Sequence, residues 1–204
     1  GDTIKRVPEM NLAIALTGAM PLQTVEIIEG CGKNFRVHRL PVSALSTEFV
    51  PGRYKVKIEC GWGRSGAVKD WQVDAAVKNG RLLGTTPCYR FSSYSMDEEK
   101  STEKLRVDKN NIHWTCRTKQ NPAGLIGGTH FEAGGTQSII LELEGNKNTS
   151  LELKCGKTAI TIPLNKLVKG SLAKNLSGFC SPAIKIHRAI PENEYSFIYE
   201  RKFI

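Results

Sequence analysis

His130 and Glu132 are the pair whose types and spacing come closest to a reactive site. In an extended x-His-x-Glu run alternate side chains share one face, so imidazole and carboxylate both reach toward a common ion or a sugar hydroxyl. The pair sits in the glycine-rich stretch Gly124 to Gly135, and long connections of this kind are where function tends to be placed. Two donors do not complete a metal site, so the expectation is loop polarity available for binding, with no metal and no cofactor.

The second candidate is Gly61-Trp62-Gly63-Arg64-Ser65-Gly66, a glycine-rich hexapeptide carrying an indole and a guanidinium. A phosphate-cradling loop needs Gly-Lys-Ser/Thr opening a helix, whereas a strand pattern follows here. Trp62, Trp71 and Tyr89 could instead line a platform on which a sugar or base stacks, although alternation sets Trp71 on the inward face with Val73 and Val77; Arg64 stands beside Trp62 in the loop. Trp62, Arg64, Tyr89, His130 and Glu132 are therefore the candidate binding residues. No residue is assigned a catalytic role. Asp70, Asp74, Glu132 and Glu142 are available carboxylates, but the pairing that glycoside cleavage requires is not written in sequence spacing. Gly178-Phe179-Cys180-Ser181-Pro182 offers a thiol and a hydroxyl without a neighbouring base. His38, His113 and His187 fall on the outward phase of separate strands, beside Arg36, Arg117 and Lys185, and read as surface residues.

The elements that must carry these residues are strands. Trp71, Val73, Ala75 and Val77 alternate with Asp70, Gln72, Asp74 and Lys78, and Asn79-Gly80 suits a tight turn, predicting a hairpin with Leu82 opposite Val77. Tyr54, Val56, Ile58 and Cys60 alternate with Arg53, Lys55, Lys57 and Glu59, predicting a one-sided strand with a solvated charged face. Val25 and Ile27 are expected to face inward with Phe35 and Val37 across a turn at Gly30-Cys31-Gly32, leaving Arg36 and His38 outward. Gly156-Lys157 suits a type II′ turn setting Leu153 against Ile160 and Leu151 against Ile162. Leu164, Leu167 and Leu172 predict a short helix broken at Gly170. About a dozen short strands and almost no helix indicate an all-β antiparallel sandwich. The glycine-rich hexapeptide is the natural junction between two immunoglobulin-like modules, residues 1–60 and 61–204.

Composition narrows the function. With 204 residues and 40% apolar content the chain can fill a core, and no run approaches a membrane span, so a soluble chain is expected. A start at Gly1-Asp2 instead of Met is expected of a processed or excised piece. The six cysteines, at 31, 60, 88, 116, 155 and 180, make no C-x-x-C; three disulfides are permitted, but single cysteines on strands are more often buried thiols. The net charge of +9 is spread singly along strand faces instead of forming a focused patch, which disfavours nucleic acid while leaving an anionic ligand open.

Ala19-Met20-Pro21-Leu22-Gln23-Thr24-Val25-Glu26-Ile27-Ile28-Glu29-Gly30 resembles a segment of the β-rich domains that follow the catalytic barrel in bacterial metal-dependent hydrolases of the polymerase-and-histidinol-phosphatase (PHP) type. The run from Ser181 to Pro191, with Glu194-Tyr195, is similar in the same sense. That family's metal site lies in its barrel behind an H-x-H signature, which is missing here, so no metal or catalytic residue carries over. The resemblance implies an accessory sandwich region whose partner is a catalytic domain of the same parent protein. The expectation is thus a non-catalytic accessory or binding region. A carbohydrate-binding module or glycan-active enzyme, and a polyanion-binding module, are the alternatives.

Overall fold

The computed structural model of the chain describes residues 9–31, 33–64, 66–88, 104–120, 135–178 and 180–203. Tyr89, His130, Glu132 and the two polar or glycine-rich connections around them lie outside the described residues. In chain order the strands are β1 (Met10–Thr17), β2 (Val25–Cys31), β3 (Asn34–Leu40), β4 (Gly52–Gly61), β5 (Val68–Lys78), β6 (Arg81–Cys88), β7 (Lys104–Asp108) and β8 (Asn111–Lys119). There follow β9 (Thr136–Gly145), β10 (Ser150–Cys155), β11 (Thr158–Pro163), helix α1 (Leu164–Lys169), β12 (Leu172–Asn175), β13 (Ala183–Ile186), β14 (Ile190–Pro191), helix α2 (Glu192–Tyr195) and β15 (Ser196–Phe203). No described helix is long and apolar enough to cross a membrane.

The chain divides into Ser46–Pro191 and a smaller unit made of Gly1–Leu45 with Glu192–Ile204. This differs from a junction at residue 60, because β4 is hydrogen-bonded to β9 along its whole length and belongs to the larger unit. The larger unit is an antiparallel sandwich. One sheet has the order β11-β10-β5-β8-β7, and the other β12-β13-β4-β9-β6 with β14 also on β4. The inward phases of β5 and β4 behave as their alternation demands: Trp71, Val73, Ala75 and Val77, like Tyr54, Val56, Ile58 and Cys60, are buried. Each large apolar side chain removed from water in this way contributes about 1.5–3 kcal/mol. Trp114, Leu141, Leu143, Leu151 and Ile184 complete the layer, and α1 turns Leu164 and Leu167 into the same core before ending at Gly170; Leu172, expected in this helix, lies beyond the break and pairs with Ile186 as the start of β12. Trp71 Nε1 donates to the buried Thr118 Oγ1 at 2.9 Å, satisfying both polar atoms.

Hairpin β10–β11 has the expected register, Leu153 opposite Ile160 and Leu151 opposite Ile162, with Gly156 at φ +57°. Strands β5 and β6 do not form a hairpin. Strand β5 is central in its sheet, with β8 on one edge and β10 on the other, so β6 crosses to the opposite sheet and pairs with β9. Asn79, at φ +53°, makes the corner. At Gly80 a Cβ would meet the Glu144 carbonyl oxygen at 2.8 Å, so the glycine is required by close approach. Asn110 clamps the corner: its Nδ2 donates to Gly80 O and its Oδ1 accepts from Leu82 N, each at 2.9 Å.

In the smaller unit the described residues form two separate two-stranded ribbons, β1 with β15 and β2 with β3, instead of a second pair of facing sheets. The β2–β3 register is offset from the expected one. Ile27 opposes His38 and Ile28 opposes Val37, and the ladder continues to Cys31 opposite Asn34. His38 therefore shares the face of Val25 and Ile27, while Phe35 and Val37 lie on the other. A shift of one residue exchanges faces, and the glycine-flanked turn is too permissive to prevent it.

Candidate functional site

The outer face of the five-stranded sheet is a plane of polar side chains. Cross-strand register sets Lys154 beside Asp74, Asp74 beside His113, and His113 beside Arg106, a row running over four strands. The adjacent row is Thr161, Glu152, Ala76, Asn111 and Asp108. Opposed residues in antiparallel pairs stand roughly 5 Å apart, close enough for side chains to bond. His113 Nδ1 and Asp74 Oδ1 are 2.7 Å apart, with 47% and 61% of the side-chain surfaces exposed. Because Ala76 and Ala159 are short, the plane is indented into an open concavity of about 550 Å³. Further along β5 and β8, Arg117 holds Asp70 through bonds of 2.6 and 3.0 Å, which keep that carboxyl below its usual range.

A second polar cluster is on the other sheet. Lys55 and Glu59, expected on a solvated face, are buried at 8% and 7% exposure. His187, just beyond β13, has its Nε2 2.7 Å from Glu59 Oε2, and Lys57 Nζ is 3.5 Å from the same oxygen. The His187 backbone N–H donates to Lys57 O, fixing the ring beside β4. Burial pushes the Glu59 carboxyl up, but His187, Thr136 and Lys57 outweigh it and leave Glu59 below its usual value. The buried Thr136 hydroxyl lies near enough to help, although it falls short of hydrogen-bond geometry. Burial holds His187 below the usual imidazole value despite the carboxylate. The pair is therefore a neutral imidazole donating Nε2–H to an ionised carboxylate.

Of the candidate binding residues that are described, Trp62 and Arg64 lie in the loop after β4 and do not line the concavity. Trp62 is exposed, as expected, at 38%, and has φ +60° between Gly61 and Gly63, which also have positive φ. Its N–H donates to Gly135 O. Among the carboxylates, Asp70 and Asp74 are on the polar plane, whereas Glu142 opposes Lys55 on the other sheet. His113 is outward and half-exposed, as expected, whereas His187, expected on the surface, is part-buried against Glu59; neither partner was legible in the sequence, because they lie 39 and 128 residues away. The outward alternation of β5 and β8 was the available signal for His113; no local signal marks the Glu59–His187 contact. Cys60, Cys116 and Cys155 are buried cysteines, and burial pushes the thiols of Cys60 and Cys155 up. Among the described residues no three His, Cys, Asp or Glu side chains converge in a way that would hold a metal ion.

No protein-family model, curated protein or solved structure matches this chain.

Proposed function

We propose that Ser46–Pro191 is a non-catalytic binding unit, an accessory β-sandwich that seats a hydroxyl-rich ligand of the glycan class on the outer face of its five-stranded sheet. The concavity of about 550 Å³ around Ala76 and Ala159, rimmed by Asp74, Arg106, His113, Glu152 and Lys154, carries this reading. Vicinal hydroxyls each donate and accept, and a rim that alternates carboxylates with cationic donors at strand spacing matches that need. The alanines allow a flat ring or chain to approach the sheet. The same rim disfavours a polyanion, because Asp74, Asp108 and Glu152 would face its charges. The half-exposed His113–Asp74 pair is screened by solvent, which suits recognition better than a reaction that must exclude water. Within this unit the run from Ser181 to Pro191, which resembles the β-rich domains of PHP-type hydrolases, supports the accessory role, with chemistry supplied by a catalytic domain.

Calorimetric titration of the chain with soluble oligosaccharides of differing linkage tests this. Binding is expected with at least one linkage, weakening about tenfold in Asp74→Ala and in Glu152→Ala, the loss of one charge-assisted contact. Binding indifferent to both substitutions, or none to any oligosaccharide, refutes the assignment.

A further inference from the structure

The β2–β3 ribbon has features that the sandwich does not explain. Among the described residues it is a two-stranded sheet, so the outer edge of β3 has no ladder neighbour. Two-stranded ribbons are marginal alone, and an unpaired edge is a template for another strand. One face of the ribbon carries open apolar side chains beside the Glu26–Arg39 ion pair: Ile28 is 68% exposed, Phe35 74% and Val37 42%. The opposite face contains the buried Val25. The open face and the edge together make a surface on which an added strand gains both backbone hydrogen bonds and apolar cover.

We propose that the outer edge of β3 receives an extended acidic strand from a partner protein. The strand already paired with β3 shows which chemistry β3 accepts. On β2, Glu26 Oε1 meets Arg39 Nε at 2.8 Å, Glu29 Oε2 meets His38 Nε2 at 3.0 Å, and Ile28 opposes Val37. The same β3 side chains flank its other edge, so the incoming strand carries apolar residues opposite Phe35 and Val37 and, at the alternate positions, carboxylates opposite Arg36 and His38. Charge selects a foreign partner over a second copy. Two chains of net charge +9 repel, whereas an acidic strand is drawn to this edge.

The test uses the full chain and a short fluorescein-labelled peptide alternating Val with Glu, beside a control of the same composition with its Glu residues grouped. Anisotropy is expected to show binding of the alternating peptide that weakens with added salt, and amide shifts confined to Asn34–Leu40. Phe35→Ser is expected to lower affinity about tenfold, the loss of one apolar anchor. Arg36→Glu is expected to switch preference to a peptide alternating Val with Lys, which a merely unfolded ribbon would not do. Equal binding of the grouped control overturns the proposal, as do shifts confined to Val25–Cys31 or to the five-stranded sheet. Sedimentation showing that the chain dimerises without peptide, and that Phe35→Ser abolishes the dimer, also overturns it and assigns the edge to a second copy.

Discussion

Replacing His187 with alanine removes the hydrogen-bond donor that Glu59 has in its buried setting. Hydrogen bonds to charged groups contribute about 1.5–3 kcal/mol, and a Glu59 side chain with 9% of its surface exposed has little water to take over. Lys57, 3.5 Å from the same oxygen, remains and offsets part of the loss. The expected cost is about 2 kcal/mol at neutral pH, or a melting temperature lower by about 4–8 °C for a domain of this size. His187→Gln keeps an N–H donor and removes the titration. The imidazole lies below its ordinary 6.5 in the folded chain, so as pH falls through 6.5 the unfolded state takes up the proton first and stability declines. Glu59 lies below its ordinary 4.5, so its contribution is present above that value and is lost on further acidification through the folded value. Both groups make acid destabilising, with His187 acting first. Urea denaturation at about pH 7.5 and about pH 5.5 reads this directly, the wild type losing more stability between them than His187→Gln. An alanine variant within about 0.5 kcal/mol of wild type, or parallel pH profiles for wild type and His187→Gln, would refute the reasoning.

Asn110→Ala is expected to cost about 2 kcal/mol in urea denaturation, because both amide bonds to the Asn79-Gly80 corner disappear; a change below about 0.5 kcal/mol would show that the corner holds without its clamp. Trp71→Phe is expected to destabilise by about 1 kcal/mol more than Trp114→Phe, although both shed the same atoms. Loss of the Trp71 indole leaves buried Thr118 without its donor, whereas Trp114 Nε1 is buried with no hydrogen-bond partner among the described residues. Equal losses by thermal melting would contradict that difference.

Local alternation was sufficient to show which residues of β5 and β8 enter the core, because a strand has only two faces and apolar side chains choose the dry one; on β4 it located the apolar side chains but not the burial of Lys55 and Glu59 on the other face. It also sufficed for the β10–β11 register, where Gly156 supplies the turn and both apolar pairs agree. Alternation does not say which strand lies alongside. Asn79-Gly80 reads equally well as a hairpin turn or a corner between sheets, and the corner was decided by β8 and β10 occupying both edges of β5. The polar rim, the Glu59–His187 pair and the open apolar side of the β2–β3 ribbon arise from such neighbour choices. A strand's own residues determine its faces, whereas its partners are chosen by the whole chain competing for a limited number of edges, and only the tertiary structure records that outcome.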